Sequence, residues 1–490
     1  MKKLILTVFL SLFLGQWSVA AERPNILFIA VDDMRDWVGY IGAHPQTKTP
    51  NIDRLATQGV AFTRAYCAAA VCNSSRTALL TGLRPSTTGV YENRHDWRKI
   101  VPQNVVTLQK HFQQNGYETF GSGKIYHGGY PAPDGWNDYL NLNGKKLIGN
   151  SAPTTTPTDE DDLYADGVGG IKFRPLDCND EDLTDYHVVQ YGIEQLQKKH
   201  DQPFFLAVGL IKPHMAWNVP RKYYDLFPLD KIILPEVKEN DLDDVPPEGI
   251  ALAKRQGDHA NILKSGLWKN AVQGYLAAIA FSDSQIGRLL DAFEKSEYKE
   301  NTIVVFWSDH GWHLGEKEHW RKFALWEEAN RAPLIWKVPG LTPVGIKTDA
   351  PTDFMHIYPT LCDLAGIPFP AQQLEGKSIR SLLENPEDKT DTVAVMTYGV
   401  NNHAVRTKNW RYIRYNHGGE ELYDEQNDPK EWNNLASKED FASVKKELSQ
   451  YLPKVNVPDP VKNNPTDSQN QRQQNRRNNR NNTSASILFD

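Results

Sequence analysis

Asn25-Ile26-Leu27-Phe28-Ile29-Ala30-Val31-Asp32-Asp33 is the stretch that decides the fold class. After Asn25 the run is continuously apolar, without the alternation of a half-solvated strand. It is therefore expected as a central strand of a mostly parallel sheet covered by helices on both faces. Open α/β sheets place their ligands beyond the C-terminal ends of such strands, and this one ends in two carboxylates, Asp32 and Asp33. The pattern recurs twice. Residues 302–307 are apolar after Thr302 and run into Ser308-Asp309-His310-Gly311, and the buried strand expected at 204–210 runs into Lys212-Pro213-His214.

The intervening chain supplies helices for both faces. Thr49-Pro50, followed by Ile52, Leu55, Ala56 and Gly59, predicts a helix with a threonine N-cap, proline in its first turn and glycine at its end. Residues 60–66 are expected as one strand, and Leu108, His111 and Phe112 mark a helix stopping at Gly116. Further helices are expected from Leu183 to Leu196, from Val272 to Phe293 and over 354–365, with a strand at 333–336. Residues 130–180 and 226–260 are rich in turn formers and show little periodicity, the former reading as a long insertion lining a cleft. From Val393 the pattern changes to short strands at 393–398, 403–406, 410–415 and 421–423, a small antiparallel sheet closed by a helix over about 440–452.

The domain plan is then a signal peptide at 1–21, a catalytic domain at 22–385, a C-terminal subdomain at 386–455 and a tail at 456–490. A chain of 490 residues exceeds the roughly 250–300 at which one core stops growing, so a large and a small unit are expected. The leader has two lysines, an apolar run from Leu4 to Leu14 and the small residues Ser18-Val19-Ala20-Ala21. That run is too short to span a membrane, so it reads as a secretory signal and the mature protein as periplasmic or secreted, with no membrane anchor. In the tail, residues 469–482 contain only Asn, Gln and Arg and cannot bury a core. A net charge of −6 argues against nucleic acid as a partner, so any anion must meet a local basic site. Four cysteines are too few for a disulfide framework: with Cys72 set aside, Cys67, Cys178 and Cys362 allow at most one bridge. Nothing in the sequence fixes the oligomeric state.

One segment stands apart: Ala70-Val71-Cys72-Asn73-Ser74-Ser75-Arg76-Thr77-Ala78-Leu79-Leu80-Thr81-Gly82. Small polar residues between Cys72 and Arg76 open a helix that runs to Gly82, and the backbone N–H groups of such a helix start attract anions. A second glycine-rich stretch, Gly121-Ser122-Gly123-Lys124-Ile125-Tyr126-His127, is not a nucleotide loop, because Glu118 and Ile125 stand where that motif needs glycine and a hydroxyl residue.

The Cys72–Gly82 segment resembles the signature of the type I sulfatases, Cys-x-Pro-x-Arg followed by a Thr-Gly pair, with Ser74 where proline is usual. The iduronate-2-sulfatase branch is closest in pattern: Gly-Lys-x-x-His at Lys124 and His127, Lys-Pro-His at His214, Asp309 followed by His310, and Lys322 after His319-Trp320-Arg321. The resemblance covers most of 23–450. It implies an alkaline-phosphatase-like sheet sandwiched by helices, oxidation of Cys72 to Cα-formylglycine by a formylglycine-generating enzyme, and one Ca²⁺ held by Asp32, Asp33, position 72, Asp309 and His310. It further implies that Lys124, Lys322 and Arg76 clamp the sulfate, that a hydroxyl of the hydrated aldehyde attacks sulfur, that His214 protonates the leaving sugar oxygen and contacts the substrate, and that His127 takes the proton that expels sulfate. An oxygen-rich donor set without thiolates favours calcium over zinc.

The activity implied is an exported carbohydrate sulfatase acting on a sulfated saccharide. Candidate substrates are a uronic-acid-containing glycosaminoglycan or an algal polysaccharide such as ulvan or carrageenan. Two alternatives stay open: a phosphate or phosphonate ester hydrolase of the same superfamily, and a sulfated-glycan-binding protein in which Cys72 is never converted.

Overall fold

A computed structural model describes residues 23–142, 147, 167–168, 170–388 and 392–461. The segment expected as a signal peptide and the Asn/Gln/Arg-rich residues 469–482 lie outside the described residues, as does much of the 130–180 stretch expected as an insertion.

Eight strands form the central sheet, in the order Ile346–Thr348, Val60–Phe62, Leu334–Lys337, Thr302–Ser308, Asn25–Val31, Phe204–Gly209, Glu118–Gly123, Asp138–Tyr139. Asn25–Val31 lies in the middle, parallel to both neighbours. Leu334–Lys337 alone runs against its neighbours. All seven residues of the first strand are buried. Ile26, Phe28 and Ala30 join one apolar core and Leu27, Ile29 and Val31 the other, so the unbroken apolar run reflects two covered faces. The 28-residue helix Trp268–Lys295 and Thr184–Gln197 cover one face. Cys72–Thr81, Leu108–Gln114 and Ile357–Ala365 cover the other. Among the described residues, no helix is long and apolar enough to cross a membrane.

Local departures from the sequence reading have identifiable causes. Residues 60–66 form two strands, because Thr63 N turns to the Thr348 carbonyl and Ala65–Tyr66 then pairs with Thr352–Asp353 in a separate sheet. Thr49 does not cap Pro50–Ala56: its hydroxyl oxygen accepts from Gly39 N at 2.7 Å. The helix start is satisfied from outside by Asp283 of the long helix, which accepts from Ile52 N at 2.9 Å. The 226–260 stretch, read as irregular, carries the helix Pro247–Ala253 and the start of a second short helix, Asp258–Ser265. All four cysteines are free, with Cys67, Cys72 and Cys362 buried.

The C-terminal antiparallel sheet, Ala394–Thr397, His403–Arg406, Trp410–Arg414 and Glu420–Asp424, is present as four strands in that order. Ala404, Ile413 and Tyr423 pack into the main core, while Val405, Tyr412 and Leu422 meet Leu448 of the helix Ala442–Leu448. A buried ion network pins the sheet: Glu327 accepts from Tyr66 (2.9 Å), Arg406 (3.3 Å) and Arg411, while Arg406 also meets Glu425 at 2.9 Å and Arg411 meets Glu431. Burial opposes ionisation of Glu327, but Arg406, Arg411 and Arg331 hold its carboxyl far below the usual range.

Candidate active site

Strand register builds the site. Asn25–Val31 and Thr302–Ser308 pair residue for residue, Val31 opposite Ser308, so Asp32-Asp33 and Asp309-His310 leave the sheet side by side. Ala30 pairs with Gly209, and Gly209 with Gly123, so the segments carrying His214 and Lys124 emerge at the same edge. Gly123 has φ +70, and a Cβ there would collide with the Gly209 carbonyl; this close approach brings Lys124 beside the central strand.

Asp33, itself at φ 61, donates from its amide to Asp309 Oδ1 at 3.0 Å, and its carbonyl accepts from Tyr275 at 2.7 Å. Cys72 opens the helix on the facing side, anchored by Asn73, whose amide group donates to the Glu92 and His95 carbonyls at 2.9 and 2.7 Å. The Cys72 sulfur lies 3.3 Å from His310 Nε2 and 3.8 Å from Asp33 Oδ1, and Ser75 donates to the Asp309 carbonyl at 2.6 Å. Burial, then Asp32, pushes the Cys72 thiol up.

Three cations enter this chamber. Lys322 Nζ is 2.8 Å from Asp33 Oδ1 and 3.0 Å from Cys72 Sγ, and Lys124 Nζ meets Asp32 Oδ2. Arg76 is fully enclosed: Nε donates to Asp309 at 2.9 Å, and the terminal nitrogens donate to Asp32, Val31, Lys124 and Ile125. All five of its N–H groups are thus used by the protein. The sequence reading put Arg76 in the sulfate clamp; the geometry makes it the tie that fixes the two acidic strand ends. Burial works against Asp32 ionising, yet Lys124, His214, Arg76 and Lys322 hold it well below the carboxylate range, whereas burial lifts Asp33 despite Lys322.

Both histidines expected at the site are there. His214 Nδ1 is 2.6 Å from the Met215 carbonyl, and its Nε2 faces Asp33 Oδ2 at 3.8 Å; burial, then Lys124 and Lys322, push it well below its ordinary value. His127 is held down to about 3 by burial and Lys124, and its buried Nδ1 has no hydrogen-bond partner. It is a neutral imidazole with a bare nitrogen, and the burial and Lys124 that keep it neutral oppose its taking up a proton.

A divalent cation fits the donor set. One ligand atom each from Asp32, Cys72, Asp309 and His310 lies within 4.8 Å of the others, as do those of Asp32, Asp33, Cys72 and His214. Asp33 Oδ2 is buried without a hydrogen-bond partner, which for a carboxylate oxygen at this depth calls for a positive partner. Glu327, Glu425 and Glu431 also cluster, but two arginines answer their charge.

Sequence reasoning missed the strap that carries Lys322. Gly315 (φ 126) is followed by Lys317, Glu318, Arg321 and Phe323 at φ 55, 50, 72 and 74, a run of left-handed backbone that side-chain-bearing residues adopt at a cost of about 1–3 kcal/mol each. It is held by Lys317 on Asp241 (2.9 Å), Arg321 on Asp258 (2.7 Å), and His319, whose ring lies between the Ala253 and Lys322 carbonyls at 3.0 and 2.7 Å. Three of these partners come from the stretch read as irregular. Only positive φ at non-glycine residues would have given the strap away, and composition does not encode that.

Residues 24–367 match the family model described as sulfatase, and residues 315–457 match the model described as N-sulphoglucosamine sulphohydrolase, C-terminal. A sulfatase of Formosa agariphila is 41% identical over 89% of this chain and 87% of its own length. Iduronate 2-sulfatase of Mus musculus is 31% identical over 74% of each chain. The solved phosphonate monoester hydrolase of Agrobacterium radiobacter superposes with a TM-score of 0.72 at 22% identity, covering 87% of this chain and 94% of that one, a likeness of fold.

Proposed function

This chain belongs to the sulfatase family and is a sulfuric ester hydrolase, and from that premise we propose that it is an exported enzyme that desulfates a saccharide, using position 72 as formylglycine. The observation that carries the reading is the meeting of Cys72 with Asp33, His310 and Lys322 at the C-terminal ends of two parallel strands. Similarity to iduronate 2-sulfatase supports a sulfated uronate, or a sugar next to one, as the substrate class.

A calcium ion held by Asp32, Asp33, Asp309 and His310 would supply positive charge against a sulfate oxygen, and oxidation of Cys72 would supply an aldehyde hydrate as nucleophile. The rest is the work of this chain's own side chains. Lys322 and Lys124 sit where they can take the remaining sulfate oxygens and stabilise charge there. Arg76 keeps Asp32 and Asp309 in register. Once the bound sulfate's negative charge offsets Lys124 and Lys322, His214 is the candidate to hold a proton against the leaving sugar oxygen, and His127, with a bare nitrogen, the candidate to accept one at position 72. Burial of the chamber keeps water from competing for the charged groups.

The test has two parts. Mass analysis of the peptide containing Cys72, from protein made in a host with the modifying enzyme, is expected to show loss of the thiol; an intact thiol favours the binding-protein alternative. A desulfation screen over defined sulfated oligosaccharides then identifies the sugar. Turnover of phosphonate esters in preference to every sulfate ester would favour the phosphonate alternative.

A further inference from the structure

A shallow surface depression lies beside the strap, lined by Ala253, Arg255, Asp258, His319, Trp320 and Phe323 among others. Phe323 joins it to the reacting end: its ring centroid is 5.9 Å from Lys322 Nζ, which in turn is 3.0 Å from Cys72 Sγ. Beside the same ring sits the Arg255 guanidinium, 5.2 Å from the centroid, donating to the Tyr398 hydroxyl of the C-terminal region. Arg255 and the lysine beside Cys72 therefore approach the same aromatic ring.

The charges around the depression are answered except one. Arg321 pairs with Asp258 at 2.7 Å and Lys254 with Glu318 at 3.2 Å. Among the described residues Arg255 forms no ion pair, and it is exposed. A neutral hydroxyl and a ring face orient it, and neither cancels its charge. That is how a guanidinium is held ready for an external oxyanion: stacked, pre-aimed and still carrying free N–H groups. In a chain of net charge −6, such a group is a local exception.

We propose that Arg255 is a specificity-determining residue. It binds a second anionic group of the saccharide, a carboxylate or a further sulfate, about one ring's span from the ester being cleaved, and so selects polyanionic sugars over singly charged sulfate esters. This rests on the saccharide reading above and assigns that site a second subsite, with Tyr398 and Phe323 as its positioning residues.

The experiment is steady-state kinetics of wild type, Arg255→Ala, Arg255→Lys and Tyr398→Phe on four substrates: an aryl sulfate, a neutral hexose sulfate, the corresponding uronate sulfate and the corresponding disulfate. Arg255→Ala is expected to lower kcat/KM on a doubly charged sugar about 10- to 100-fold more than on the neutral hexose sulfate, mainly through KM, because a charge-assisted hydrogen bond is removed. Arg255→Lys should recover part of the loss, and Tyr398→Phe should fall between wild type and Arg255→Ala. The arm with the larger loss tells carboxylate from sulfate. Equal proportional losses on all substrates would overturn the subsite while leaving the saccharide reading standing. Aryl sulfate turnover without turnover of any sugar would overturn the saccharide reading itself, and the subsite with it.

Discussion

Lys322 Nζ lies 3.0 Å from Cys72 Sγ, across 250 positions of sequence. The contact joins the two halves of the site, the helix start that carries Cys72 and the strap that carries a cation. Lys322→Ala is expected to lower kcat/KM on any sulfate ester by about 10²–10³, the range for losing one preorganised electrostatic contact. Cys72→Ala should abolish turnover with an unchanged melting temperature. Near-wild-type sulfate release by the Cys72 variant would remove position 72 from the chemistry.

The three carboxylates at the strand ends lie within one small chamber, with Asp33 Oδ2 lacking a hydrogen-bond partner. Dialysis against a chelator should abolish activity and lower the melting temperature, and calcium should restore both. At a free ion concentration about 100 times Kd, linkage supplies about 2.7 kcal/mol. Restoration by zinc alone would refute the assignment of an oxygen-ligand site.

His214 faces Asp33 Oδ2 with its Nε2. If it protonates the leaving oxygen, His214→Ala should slow sugar sulfates about 10²–10⁴-fold and an aryl sulfate far less, since a phenolate leaves with little help. Equal losses on both would assign His214 to binding alone.

Glu327 answers two buried arginines from the C-terminal sheet. Glu327→Gln strands those charges and should destabilise the fold by about 3–5 kcal/mol, read as a shift of the urea midpoint. A loss below about 1 kcal/mol would mean that Glu425 and Glu431 suffice.

His403 sits between Thr397 Oγ1 at 3.0 Å and Asn456 Oδ1 at 2.8 Å, and burial, against the Asn456 contact, lowers it to about 4. The native imidazole stays neutral where the unfolded chain, titrating near 6.5, takes up a proton. Its contribution is complete above about pH 6.5 and is lost as the pH falls toward 4, at most about 3 kcal/mol. Urea unfolding at pH 7 and pH 5 should differ more for wild type than for His403→Gln, and an identical pH dependence would refute the assignment.

The frame was legible because hydrophobic pattern reports burial. Residues 25–31, 204–210 and 302–307 read as two-sided strands, and the pairing of the first with the last sets the acidic ends together. Asp32, Asp33, His214, Asp309 and His310 stood out because each follows an expected strand, and Cys72 because it opens a helix; Lys124, His127 and Lys322 stood out only through their resemblance to sulfatase segments. Other features depend on partners remote in sequence. That Asp283 rather than Thr49 satisfies the Pro50–Ala56 helix is decided by where the long helix packs. The full use of the Arg76 donors is decided by carbonyls from two segments, Val31 and Lys124-Ile125. Arg255 looked like any charged residue in a turn-rich stretch until Phe323 and Tyr398 came beside it.

Cys72 is 0% exposed, with Asp33, His310 and Lys322 closed around its sulfur. No second enzyme can seat a catalytic site on a side chain so enclosed. The conversion of position 72 proposed above would therefore have to take place before the segments from 33, 310 and 322 have arrived. Maturation becomes a race against collapse, and a molecule that folds first keeps its thiol for as long as it stays folded. The active fraction of a preparation would then record the relative speeds of two processes during biosynthesis, and slowing the folding of this chain, which usually lowers yield, would raise the activity of each molecule that survives.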